Sequence, residues 1–202
     1  MSDQMEERAR RIVETAVELA EEGGFEAVRL RDVAAHAGVA LGTLYRRFSS
    51  KEDLLVAALA AETRGLERRF AKSPPRGDEE LERVMGFFAL VGRGLLRRQN
   101  LARALLKAAA SGEPGLAQKM ASYHAHIEAM IVMSLRGEVV RANGELADPH
   151  ADERERRVAE TLSQLWFALL LGWSSGVHDQ EAINTKMRSC AELVLCGAKG
   201  LR

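Results

Sequence analysis

The chain has 202 residues, of which 47% are hydrophobic and 5% aromatic, and its formal net charge is zero. That length holds one large or two small domains with a real core, and the abundance of Ala, Leu, Glu and Arg favours helices over sheets. A neutral chain is excluded as a general polyanion binder, so any nucleic-acid contact has to come from a local patch.

Such a patch exists. Residues 1–28 carry three basic side chains (Arg8, Arg10 and Arg11) against eight acidic ones. Residues 29–51 carry five basic ones (Arg29, Arg31, Arg46, Arg47 and Lys51) against Asp32 alone. The sign flips where a pair of short helices begins, and the acidic first helix argues against indiscriminate DNA binding.

Residues 1–7 read as a polar, frayed arm. A first helix is predicted over about 7–22, with Ala9, Ile12, Val13, Ala16, Val17 and Ala20 on one stripe of period 3.6. Gly23-Gly24 ends it. A second helix over about 30–37 turns Val33, Ala34 and Ala37 inward, and Gly38 suits a left-handed turn. A third over about 40–47 buries Leu44 with Phe48, and leaves Gly42, Thr43, Tyr45, Arg46 and Arg47 outside. Ser50 is an N-cap candidate with Asp53 at the capping-box position, opening a fourth helix over 51–72. This gives a helix-turn-helix domain over 1–53 and a connecting helix over 51–72.

Ser73-Pro74-Pro75-Arg76-Gly77 is the clearest break. Helices follow at about 78–98, 100–110, 114–136, 152–175 and 179–200, forming a second domain over 78–202. The segment 137–151 reads as a mobile loop. The fold class is all-α, with about nine helices. Cys190 and Cys196 are six apart, on different faces of a helix, and suit small core residues in a reducing cytoplasm. The charged N-terminal stretch does not read as a secretory signal. The longest apolar run, Leu165 to Trp173, is far short of the ~20 residues a membrane span needs.

The last two helices carry broad apolar stripes. Leu162, Leu165, Leu169 and Trp173 on one, and Ile183, Met187, Cys190 and Val194 on the other, suit either a four-helix dimer interface or the closing of the monomer core.

Leu30-Arg31-Asp32-Val33-Ala34, Ala37-Gly38-Val39, Gly42-Thr43-Leu44-Tyr45, Phe48 and Ser50-Lys51-Glu52 closely resemble the tetracycline-repressor-like family of bacterial transcriptional regulators. The match covers about residues 8–56. The resemblance implies a three-helix DNA-binding domain joined by a fourth helix to a larger helical domain that dimerises and binds a small molecule. It also implies that Gly42, Thr43 and Tyr45 meet phosphates or bases, that Lys51 meets a phosphate, and that Arg46 and Arg47 read sequence. Two positions depart from the pattern. The usual capping hydroxyl of the second helix is replaced by Arg29 or Leu30, and that of the third by Ala40. Each loss weakens a cap by about 1 kcal/mol, while Arg29 offers an ionic contact instead. The N-terminal block and the run around Trp166–Trp173 are similar to the branch that represses sterol and lipid catabolism in actinobacteria, which implies an acyl-CoA-type effector.

Read from the residues, the DNA contacts are Arg29, Arg31, Gly42, Thr43, Tyr45, Arg46, Arg47 and Lys51: cations and hydroxyls for the backbone, arginines for base edges, a glycine for close approach. An effector lining is sought among Phe87, Phe88 and Val91, then Met120, Tyr123, His124, Ile127 and Met130, then Trp166 and Phe167. A Met- and aromatic-rich wall suits an apolar ligand, and plain core packing accounts for the same residues. His124 and His126 lie on different helix faces, and no metal or cofactor is expected. Gly172-Trp173-Ser174-Ser175-Gly176 matches the nucleophile elbow of serine hydrolases, but a helical stripe precedes it, so a helix C-terminus is expected and no enzyme. The reading is a homodimeric, cytoplasmic regulator, a repressor released from a pseudo-palindromic operator by a small apolar or acyl-type effector. The alternative is a helical ligand-binding or scaffolding protein with a vestigial helix-turn-helix.

Overall fold

The computed structural model describes residues 2–142 and 145–200. Among them are nine α-helices: α1 (Ser2–Ala27), α2 (Leu30–His36), α3 (Leu41–Arg47), α4 (Lys51–Lys72), α5 (Glu80–Leu96), α6 (Gln99–Ala109), α7 (Ala117–Arg136), α8 (Glu153–Ser174) and α9 (Gln180–Ala198). A 3-10 turn, Pro114–Leu116, leads into α7. The chain forms two compact units, each discontinuous in sequence. The first comprises Met1–Glu62 and Arg97–Ala121, the second Thr63–Leu96 and Ser122–Arg202.

In the first unit, Ile12, Ala16 and Ala20 form the buried stripe of α1. The helix begins at Ser2, so residues 2–6 are helical rather than a frayed arm. At its far end Gly23 and Gly24 leave helical geometry, Gly24 at φ 68°, a conformation that only glycine adopts at little cost. One more turn then carries Phe25 past the break, and Val28 is buried. The partner of α1 is α6, whose Leu101, Ala102, Leu105 and Ala108 are buried. The acidic charge of α1 has its counterpart there. Arg98 binds Glu21, and also Glu62 at 3.0 Å. Asn100 Nδ2 donates to the Glu21 carbonyl at 3.0 Å, and Lys107 meets Glu26 at 2.8 Å.

Ser50 caps α4, accepting from the Asp53 N–H at 3.0 Å. The Asp53 carboxylate reaches back to Ser49 N and Oγ (2.9 and 3.1 Å) instead of the Ser50 N–H, one residue off a regular capping box. Burial alone would raise the pKa of Asp53, but the bonds from Lys119 and Ser49 outweigh it and hold the carboxyl below its ordinary range. Ser50 Oγ also donates to Glu113 at 2.8 Å. The start of α7 and the 3-10 turn before it are thereby tied to the first turn of α4.

The second unit is built on a chain of aromatic contacts. Phe70 meets Phe87 edge-on at 5.9 Å, Phe87 meets Phe88 at 5.2 Å, and Phe88 lies against Trp166 at 5.1 Å. Helix α9 packs on α8 and α5. Arg83 caps α7 from outside, donating to the carbonyls of Ser134 (2.9 Å) and Leu135 (2.5 Å), and Gly137 takes the left-handed stop at φ 72°. Helix α8 opens with a capping box between Asp152 and Glu155, and Arg136 grips Glu155 at 2.5 Å.

Three expectations change here. The segment 137–151 is not structureless: β1 (Arg141–Ala142) and β2 (Glu145–Leu146) pair antiparallel, and Arg136 holds the Pro149 carbonyl at 2.8 Å. The cysteines are free and are not core residues, since Cys190 is half-buried and Cys196 exposed. The expected dimer stripe divides: Leu162, Trp173, Ile183 and Met187 are buried within the protomer, while Leu165, Leu169, Cys190 and Val194 keep exposed surface. A buried side chain gains nothing further at an interface. The sequence reading missed Leu193, which is 75% exposed.

Candidate functional sites

The turn between α2 and α3 places the first site. Gly38 sits at φ 65°, and the Val39 N–H returns to the Ala34 carbonyl at 3.0 Å. Val33, Ala34, Ala37, Leu44 and Phe48 are buried beneath, which anchors α3 by its inner face. Its outer face presents Gly42, Tyr45, Arg46 and Arg47, all exposed, with Thr43 half-buried. Tyr45 is 54% exposed, unusual for so large a ring. Arg46 Nη2 donates to Thr43 Oγ1 at 3.1 Å, so the two are already arranged as one donor group. A side chain at Gly42 would meet nothing within 4 Å, so internal packing does not require glycine there. Arg29 and Arg31 are exposed at the start of α2.

Lys51 stands apart from these. Its ammonium donates to the Phe25 carbonyl at 3.2 Å, lies 3.8 Å over the Phe25 ring and 3.7 Å from Glu26. Lys107 approaches the same ring at 4.2 Å. In this structure Lys51 fastens α4 to the last turn of α1. Sequence reasoning also missed Arg8. It lies with Met5, Ala9 and Ile12 of α1, and Thr43, Arg46 and Arg47 of α3, around a groove of about 590 Å³. The signal available was its position as one of few cations in an acidic segment. Neither α2 nor α3 has a side-chain cap: Arg29 and Ala40 occupy the N-cap positions without a capping bond, as the departures from the family pattern implied.

The expected effector residues mostly fall in the second unit, while Met120 belongs to the first. Phe87, Phe88, Val91, Ile127, Met130 and Trp166 are buried core. Tyr123, His124 and Phe167 are half-buried around them. The His124 ring meets Tyr123 at 5.3 Å and Phe167 at 5.5 Å, both edge-on, and its Nδ1 is 3.1 Å from Ser163 Oγ. Burial lowers the His124 pKa, which favours neutral imidazole, and pushes the Tyr123 hydroxyl up to about 12. Trp166 is 1% exposed, and its Nε1–H is the one buried side-chain polar atom without a partner among the described residues. His126, two residues from His124, faces Glu67 instead at 2.5 Å.

Comparison with known proteins places the chain in a family. The profile described as "Bacterial regulatory proteins, tetR family" matches residues 12–58. The HTH-type transcriptional repressor KstR of Rhodococcus jostii (strain RHA1) is 30% identical over 96% of this chain and 85% of its own length. The chain belongs to the tetR family. Another relative, KstR of Mycobacterium tuberculosis (strain ATCC 25618 / H37Rv), is 31% identical over 85% of this chain and 73% of its own. Both agree with the resemblance to the actinobacterial repressor branch. A solved tetR-family regulator from Rhodococcus sp. RHA1 superimposes with a TM-score of 0.80 at 26% identity, covering 96% of this chain and 98% of that one. FadR of Thermus thermophilus, solved with lauroyl-CoA, shares the fold at a TM-score of 0.64 and 21% identity, with 93% of each chain covered.

As a tetR-family member the chain is a sequence-specific DNA-binding transcriptional regulator, with α2 and α3 as its helix-turn-helix. The serine motif takes another role. Ser174 and Ser175 Oγ both donate to the Leu171 carbonyl at 2.9 Å, and Gly176 stops α8 at φ 82°. Those residues close a helix, and the strand that a nucleophile elbow needs does not precede them. No helix among the described residues is long and apolar enough to cross a membrane.

Proposed function

We propose that the chain is a cytoplasmic repressor that binds a pseudo-palindromic operator as a homodimer and leaves it when a small apolar or acyl-type effector binds. The first unit holds the DNA contacts, Arg29, Arg31, Gly42, Thr43, Tyr45, Arg46 and Arg47, with Arg8 added. The observation that carries this is the outer face of α3, where a glycine that packing does not require, a joined Arg46–Thr43 pair and an exposed Tyr45 stand in one row. Two such helices would enter successive major grooves about 34–36 Å apart. Lys51 serves as a phosphate contact only by exchanging the Phe25 carbonyl for phosphate.

The second unit holds the effector and the dimer face. The unpartnered Trp166 N–H supports a ligand with a carbonyl acceptor in an apolar body, since such a bond would remove the cost of a buried orphan donor. The tied hydroxyls of Ser174 and Ser175 support a role without hydrolysis. The exposed Leu193 and the half-buried Leu165, Leu169 and Val194 support dimerisation through α8 and α9.

The test is selection of binding sites from a random-sequence DNA pool, followed by footprinting with and without dodecanoyl-CoA. A two-fold-related site, protected by the wild type and released by the acyl-CoA, is expected. Failure to enrich any sequence leaves the vestigial reading in its place.

A further inference from the structure

We propose that the second unit contains a binding site for a lipophilic cation, in a cavity of about 640 Å³ between α7 and the segment 146–151. None of the aromatic and methionine residues considered for the effector lines it. The volume falls within the range of small-molecule sites. One wall is apolar, built by Ala129 and Val132 of α7 facing Ala147 and Pro149.

The charged groups around the cavity choose the ligand. Glu67, Glu128 and Asp148 supply carboxylates, against Arg156 and the imidazoles of His126 and His150. Most are committed elsewhere. Glu67 is met by His126 at 2.5 Å, Arg156 is paired with Glu153, and Asp148 accepts the His150 N–H at 2.9 Å. Glu128 is different. It is half-buried, and among the described residues no donor or cation reaches it. Burial and the nearby charge of Glu160 both raise its pKa, which means that its ionised form is poorly compensated. A cation seated beside Glu128 would relieve both penalties, whereas an anion would add to them and a neutral molecule would leave them. The apolar wall then selects a cation with an apolar body.

Isothermal titration of the full chain with two ions of one shape, tetraphenylphosphonium and tetraphenylborate, separates charge from size. The phosphonium is expected to bind, and the borate at least about tenfold more weakly, the ratio set by the sign of the charge beside Glu128. Glu128→Gln is expected to weaken the phosphonium about fivefold to tenfold, with the unfolding midpoint checked alongside. Ala129→Phe, which fills the cavity without touching a charge, is expected to abolish binding. Equal binding of the two ions, or phosphonium affinity retained in either variant, overturns the proposal. The readout is binding itself, so it stands or falls apart from operator release.

Discussion

The two compact units separate chemistry from packing to different degrees. In the first, the candidate DNA contacts on α2 and α3 lie on surfaces that the core does not use, while Leu44 and Phe48 hold the same element from beneath. In the second, the residues suited to an effector are themselves the core: Phe87, Phe88 and Trp166 form one buried aromatic chain. Changes on α3 should therefore alter DNA binding with little cost to folding. Changes in the aromatic chain should alter both at once.

The sharpest test is at Trp166. Trp166→Ala leaves a large void beside Phe88 and should cost about 3–5 kcal/mol of stability by chemical denaturation. Trp166→Phe keeps a ring in place, removes the unpartnered donor and leaves a smaller void where the second ring was. It should cost less, because the void is smaller and the orphan N–H that it removes contributes nothing to the fold. If the two substitutions cost the same, the N–H has a partner in solution and the ligand role assigned to it falls.

Asp53 breaks the simple division, since it is a charged group of the first unit that serves structure. Its pKa is lowered in the fold, so its stabilisation is present above the ordinary carboxylate range and is lost as pH falls through the folded value. Asp53→Asn should cost about 1.5–3 kcal/mol at pH 7, the range for hydrogen bonds to a charged group. The gap to the wild type should close as pH falls through the lowered pKa of the carboxyl. A gap that does not change with pH would mean that the Lys119 and Ser49 bonds do not depend on the charge.

Arg46 and Lys51 test the separation directly. Arg46→Ala should lower operator affinity by about 1–3 kcal/mol if it reads a base, with the unfolding midpoint unchanged. Lys51→Ala should lower the midpoint as well, because it removes the tie to Phe25 and Glu26. A Lys51 variant that loses only DNA affinity, with a salt slope flatter by about one unit, would make it a plain phosphate contact.

The same contrast governs what the sequence revealed. The helix-turn-helix was legible because its signals are local: Gly38 at the turn, Ser50 at the cap, periodic apolar residues between. The packing of α6 on α1 was not, because Lys107 and Glu26 are distant in the chain and pairing leaves no periodic trace. The short hairpin did have a signal, Asn143-Gly144 between its strands, although those two residues lie outside the described ones. The dimer stripe was ambiguous for a physical reason. Helix α8 is apolar on more than one face, inward at Leu162, Trp166 and Leu170 and outward at Leu165 and Leu169. The cavity residues Ala129, Ala147 and Pro149 carry no chemical signature at all.

The smallest expected effect concerns the missing caps. Ala40 has extended N-cap geometry (φ −65°, ψ 139°), and its carbonyl already accepts the Thr43 N–H at 2.8 Å. Ala40→Ser adds an acceptor for a free N–H in the first turn of α3 and should raise stability by about 1 kcal/mol. Arg29→Ser adds the corresponding cap to α2 but removes an exposed cation from the DNA-facing side. It should raise stability by up to the same amount while lowering operator affinity. Opposite signs in one variant are what a region with separate packing and binding residues produces. Same-sign changes at Arg29 would show that its guanidinium also supports the fold, and that the first unit is less divided than its surface suggests.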